Sequence, residues 1–205
     1  MIYTALSFLS GELNTFIKLK DPLNIAGGGG QLVTLTSLVD QENKLLNTVD
    51  GICLTLVNTE EETVGKSQLP YFKSPEDLLQ VQHPDIKMNL YLLFSAYADP
   101  TNGGGLALSG YEKALKLLDE VILFFQFRQV FRSNDYLALE DAGIEKLMLD
   151  PISLSFEQQN HLWATLGAKY MPSVMYKCRM LTFREEQVSK EATVITDFQT
   201  IQNQF

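Results

Sequence analysis

Apolar residues recur along this chain at two periods, and the switches between them mark out its elements. Ile2, Leu6, Leu9, Leu13, Phe16 and Ile17 fall at helical spacing, which predicts an amphipathic helix over 2–18, ended by Asp21-Pro22. Over 87–97 the period becomes two. Met88, Leu90, Leu92, Phe94 and Ala96 share one face of a central strand, and Asn89, Tyr91, Leu93, Ser95 and Tyr97 share the other. Residues 52–58 alternate in the same way behind an Asp50-Gly51 turn, with 43–50 read as a hairpin connection from an earlier strand at 32–38. A further strand near 144–150 reaches Ile152, and Pro151 points to an edge or a bulge at that end. The last strong strand is 173–183. Simple alternation puts Val174, Tyr176, Cys178 and Met180 on one face and Met175, Lys177, Arg179 and Leu181 on the other. Residues 128–131 offer one more short strand.

Two capping boxes open the remaining helices. Ser109 with Glu112 starts a helix over 109–126, and Ser155 with Gln158 starts one over 155–167, carrying Phe156, Leu162, Trp163 and Leu166, with Gly167 as its stop. In the first, Tyr111, Ala114, Leu115, Leu118, Val121, Ile122 and Phe125 form the expected core stripe. Leu117, Leu123, Phe124 and Phe127 widen it until the C-terminal half is apolar almost all round. Such a helix is either buried between the sheet and another helix or meets a neighbouring subunit. The polar stretch 60–84, with Pro70, Pro75 and Pro84, predicts a long loop, as do 99–105 and 135–142. The sum is an α+β fold: a mostly antiparallel sheet of about five strands flanked by three helices, in one domain over 1–184. Residues 185–205 read as a C-terminal extension. Val194, Ile195, Phe198 and Ile201 form a short apolar face that either packs back or, the favoured expectation, reaches another chain.

Composition narrows the function. The net charge is −9 and no Lys/Arg-rich run exists, which argues against nucleic-acid binding through counterion release. The N-terminus lacks the basic start of a secretory signal, and the longest strongly apolar run, 121–125, is far too short to span a membrane. Cys53 and Cys178 are expected to be buried free thiols in preference to a disulfide. Gly27 to Gly30 is followed by Gln31 and a strand, not by the Lys-Ser/Thr pair and helix of a phosphate loop. His83 and His161 belong to no nucleophile motif, no HExxH or Cys-x-x-Cys is present, and the acidic run 60–62 lacks the spaced oxygens of a calcium loop. The expectation is a protein with no catalytic residues, no metal and no cofactor, whose work is done by surfaces. On those surfaces, Lys177 and Arg179 are either solvated or meet an acidic partner.

Several blocks agree in order with one known family. They are Met1-Ile-Tyr-Thr-Ala-Leu-Ser-Phe-Leu9, Asn89-Leu-Tyr-Leu-Leu-Phe-Ser95, the helix from Tyr111 to Phe-Phe-Gln126 with Val130-Phe131, and Leu166-Gly-Ala-Lys-Tyr170 with Pro172-Ser173, Tyr176-Lys177 and Arg179-Met-Leu-Thr182. Over 1–184 the chain resembles the cap, or tail-terminator, family of phage-tail-like contractile injection particles of the antifeeding-prophage and Photorhabdus virulence-cassette type. Gly27 to Gly30, Gly103 to Gly105 and the tail after Arg184 lie outside the resemblance. The resemblance implies a tail-terminator-like fold and a non-enzymatic assembly protein. It would form a homohexameric ring on the end of the inner tube distal to the baseplate and hold the last sheath layer. Its partners would be other copies of itself, the tube protein and the sheath protein, with no nucleic acid and no membrane; assembly would be cytoplasmic and the released particle extracellular. Phe124, Phe127, Lys177, Arg179, Phe198 and Ile201 are the candidate interface residues. Segments 144–149 and 32–38 are the candidate sheet edges for strand addition. A baseplate adaptor of the same particle and a monomeric α+β ligand-binding domain are the alternatives.

Overall fold

The helical stripe at the start of the chain becomes α1 (Ile2–Lys20), which buries Ala5, Leu6, Leu9, Leu13 and Ile17. The computed structural model describes residues 1–20, 31–40, 42, 44–45, 50–63, 71–73, 78–81, 86–99, 109–183 and 190–193. The other elements are β1 (Val33–Leu35), β2 (Gly51–Glu61), β3 (Tyr71–Lys73), β4 (Leu78–Val81), β5 (Ile86–Tyr97), α2 (Gly110–Phe127), β6 (Val130–Arg132), α3 (Leu137–Glu140), β7 (Lys146–Ile152), α4 (Phe156–Leu166), β8 (Ser173–Phe183) and β9 (Lys190–Thr193). Six strands form one sheet in the order β1-β2-β5-β8-β7-β6, and β3-β4-β9 form a second.

The main sheet is mixed. β1 runs parallel to β2, and every other neighbouring pair is antiparallel. The connection between 36 and 50 is therefore a crossover and not the expected hairpin, because a tight turn reverses chain direction and a parallel pair does not. The stretch 60–84 also departs from its expectation as a loop. β2 continues to Glu61, and β3 and β4 pair with each other; β9 adds to β4. Over 135–142, expected as a loop, the end of a short 3₁₀ turn (Ser133–Asp135) and α3 are found.

The two faces of β5 supply two cores. Leu90, Leu92, Phe94 and Ala96 pack with α1 and α2, while Leu93 packs with Trp163 of α4, Cys53, Met171 and Met175. The alternation read in β5 is borne out. In β8 it breaks. The register shifts between Met88/Leu181 and Leu90/Cys178, so β8 carries an extra residue there. A bulge moves every later side chain to the other face. Leu181 is consequently buried beside Tyr176 and Cys178, not beside Met175 and Lys177.

The expected core stripe of α2 is also rotated. Ala114, Leu117, Val121, Phe124 and Phe125 face inward, and Tyr111, Leu115 and Ile122 are exposed. A helix that is apolar almost all round has no periodicity to set its rotation; packing against α1 and the sheet decides it. Both capping boxes are formed, and Gly167 ends α4 in the left-handed conformation at φ 67°. Both cysteines are buried and neither is in a disulfide, as expected.

The sheet's two edges meet the same helix. At one edge, Ser10 and Asn14 of α1 hydrogen-bond to Val33 of β1. At the other, Phe8 of α1 stacks edge-on against Phe131 of β6, with ring centroids 5.6 Å apart. The sheet therefore curls around α1.

Candidate assembly surfaces

The outer edges of a sheet are where another chain can add a strand, because their backbone groups point outward without a neighbour. β1 is an edge, as expected for 32–38, but its outward backbone is engaged at Val33. The Asn14 side chain accepts from the Val33 and Leu32 amides at 3.0 and 2.7 Å and donates to the Val33 carbonyl at 2.9 Å. The second edge candidate, 144–149, is corrected. β7 is interior over Lys146–Met148, where β6 pairs with it, and Leu149 donates to the Gln129 carbonyl. Among the described strands β6 is the edge. Beyond Leu149 the β6 side of β7 has no paired strand among the described residues. Amides two apart point the same way, so Pro151 lacks its N–H where no ladder bond is available. The expectation of an edge at that end holds.

The α4 face of the sheet ends in a charged cluster. Lys177 lies opposite Tyr91 on β5 and Asp150 on β7. The Tyr91 hydroxyl donates to Glu60 at 2.5 Å, and the Lys177 ammonium meets the same carboxylate at 3.3 Å. The Tyr91 hydrogen bond first, and then Lys177, hold Glu60 below the usual carboxylate range. The contact with Tyr91 does most to raise Lys177 above its ordinary value. Arg179 pairs with Asp150 at 2.7 Å. Both candidate cations thus have acidic partners within their own chain. On α2 the other two described candidates separate: Phe127 is 79% exposed, whereas Phe124 is 4% exposed and stacks on Phe16, Phe125 and Phe131. Phe124 offers no outer surface in this chain. Phe198 and Ile201 lie outside the described residues.

Sequence reasoning missed the exposed flank of α2. Tyr111 is 64% exposed, and Leu115 and Ile122 are exposed beside it. Near Ile122 the flank opens into a groove of about 360 Å³ whose lining includes Phe125, Pro151, Val174 and Tyr176. On α4, Phe156 is 92% exposed at the first turn. The sequence signal was present in the surplus of apolar residues around α2, more than one helix face can bury. Among the described residues no cluster of three or more His, Cys, Asp or Glu is arranged to hold a metal, and no helix is long and apolar enough to cross a membrane.

Residues 6–197 match the family described as the Pvc16 N-terminal domain. The chain belongs to this family. The match agrees with the resemblance carried by the sequence blocks. No curated protein matches the chain. Among solved structures, it is similar to the PVC sheath/tube terminator of an extracellular contractile injection system in its extended state. The TM-score is 0.54 at 12% identity, covering 92% of this chain and 63% of that one. It is also similar to the tube-terminating cap of the anti-feeding prophage, with a TM-score of 0.47 at 13% identity, covering 90% of this chain and 60% of that one. The chain therefore spans less than two-thirds of the length of either protein. At 12% identity the likeness to the sheath/tube terminator is one of fold, the α+β arrangement described above.

Proposed function

We propose that this chain is a non-enzymatic structural protein that caps the end of the inner tube distal to the baseplate and anchors the last sheath layer of a contractile injection particle. It works as a homohexameric ring, assembles in the cytoplasm and leaves the cell with the particle. One observation carries this: the fold shared over 92% of the chain with a protein described as a sheath/tube terminator. Family membership over 6–197 supports it. So does the surface. A cap must hold different neighbours at once, and this chain presents an open sheet edge at β6, an exposed apolar flank on α2 and a ridge at Phe127. Strand addition at β6 suits an extended sheath segment, since Val33 at the opposite edge is already engaged by Asn14. Lys177, Arg179 and Phe127 lie on outer surfaces of the domain 1–184, and Phe198 and Ile201 belong to an extension that reaches a neighbouring chain.

The test is imaging of particles from cells lacking this chain. Tubes and sheaths of uncontrolled length, or sheaths detached at the far end, are expected. Particles of normal length with the sheath retained would overturn the assignment.

A further inference from the structure

Two backbone bonds fix which groups of β6 face outward. Leu149 donates to the Gln129 carbonyl, and Ser133 donates to the Glu145 carbonyl. The hydrogen-bonded pairs of an antiparallel ladder alternate with pairs that are not bonded, so Val130–Met148 and Arg132–Lys146 are of the second kind. The N–H and carbonyl of Val130 and the N–H of Arg132 therefore point away from β7, and among the described residues nothing bonds to them. Side chains stand closest across the unbonded pairs, and there Arg132 faces Lys146. Leu147 and Leu149 point into the core with α1 and α2, which puts Lys146 and Arg132 on the α4 face of the sheet. Like charges so placed repel each other. No salt bridge to either is found among the described residues. Asp150, four residues along the same face of β7, is held by Arg179 at 2.7 Å. Glu145 adjoins Lys146 in the ladder, so it falls on the opposite face, and Asp135 lies beyond β6 in the 3₁₀ turn.

We propose that β6 takes up an extended, acidic segment of the sheath protein as a further strand, and that Arg132 and Lys146 together bind a carboxylate of that segment. This deepens the capping reading above and rests on it. The open backbone groups of Val130 and Arg132 hold any strand alike; the paired cations make the choice among strands. An Asp or Glu beside Arg132 on the α4 face relieves the repulsion between the two cations and accepts charge-assisted hydrogen bonds from both. Two positions along the incoming strand, the side chain on the same face lies against Val130, which is apolar and 38% exposed. The segment is thus marked by an acidic residue two positions from a β-branched or aromatic one. The same cations turn away the β6 edge of a second copy, because pairing two such edges would gather four positive charges.

Carbodiimide coupling on intact particles tests this, because it joins a lysine amine to a carboxylate only where the two touch. Mass spectrometry is expected to find Lys146 joined to an Asp or Glu of the sheath protein. Coupling of Lys146 to the tube protein or to another copy of this chain overturns the proposal and leaves the cap standing. So does the absence of any Lys146 coupling in particles that carry the chain. A chain missing from the particles overturns the capping reading as well. Variants separate backbone from charge. Val130→Pro removes an N–H that points outward and spares the bonds to β7, so it is expected to melt as the wild type does and yet release the sheath. Val130→Ala keeps that N–H and keeps the sheath. Arg132→Glu with Lys146→Glu weakens sheath binding at least about tenfold, whereas Arg132→Lys retains it. Undiminished sheath binding by the charge-reversed chain would show that the two cations only guard the edge against aggregation, and would overturn the proposal even if Val130→Pro failed to fold.

Discussion

The side-chain amide of Asn14 meets Val33 as a neighbouring strand would. Its oxygen takes the Val33 N–H at 3.0 Å and its nitrogen gives to the Val33 carbonyl at 2.9 Å. The same oxygen takes the Leu32 N–H at 2.7 Å, and Ser10 adds a bond to the Val33 carbonyl. Asn14→Ala leaves two backbone amides without their acceptor in a buried setting, while Ser10 still serves the carbonyl. At about 1–3 kcal/mol for each orphaned buried group, the loss is expected to be about 2–4 kcal/mol, read as a lower urea midpoint at unchanged slope. A change within experimental error would show that water replaces Asn14 there. The variant is also expected to aggregate more readily, since it opens a sheet edge.

Gly51 sits where the chain enters β2 against β1. A methyl group added there would lie 2.6 Å from the Leu32 carbonyl oxygen, which already accepts the Ile52 amide at 2.6 Å. Backbone on both sides cannot yield as a side-chain tip can. Gly51→Ala is expected to cost about 1–3 kcal/mol, seen as a melting point several degrees lower. Next to it, Asp50 accepts the Asp99 amide at 2.7 Å and pairs with Lys113 of α2 at 3.4 Å. The Asp50-Gly51 turn legible in the sequence therefore also ties β2 to β5 and α2, which no local pattern could reveal.

Burial, helped by the nearby Asp150 carboxylate, pushes the Cys178 thiol up to about 12. The folded chain keeps this proton at pH values where the unfolded thiol, ionising near 8.5, has lost it. The unfolded state then binds fewer protons than the folded one, so stability falls as pH rises between about 9 and 12. Comparing the pH dependence of wild type with that of Cys178→Ala isolates this group: wild type is expected to lose more stability across that window. Parallel curves would contradict the thiol's folded-state ionisation. Aromatic disulfide reagents should leave the native thiols unmodified and label them after denaturation.

β9 pairs with β4 alone among the described strands and adds nothing to the six-stranded sheet. Deleting residues 186–205 is expected to leave the main sheet, both cores and the far-ultraviolet dichroism of the domain in place, while weakening attachment to ring or sheath. Loss of cooperative unfolding in the truncated chain would mean that this segment is part of the core.

Local chemistry made much of this protein legible before any tertiary structure. Each capping box closes within four residues, Gly167 ends its helix through its own backbone freedom, and the two faces of β5 follow from strict alternation. The family blocks are likewise properties of the chain in order. What tertiary structure alone decided depends on contacts between distant segments. A bulge set by pairing with β5 turned Leu181 inward, and packing against α1 rotated α2 so that Phe124 is buried and Tyr111 faces out. In the long stretch after β2, β3 and β4 pair with each other, and β9, more than a hundred residues further on, adds to β4. The role of Asn14 likewise depends on the curl of the sheet, which brings Val33, nineteen residues away, against α1. Burial rewards any partner that fits, so the sequence fixes which surfaces are apolar while the assembled fold decides which of them remain exposed.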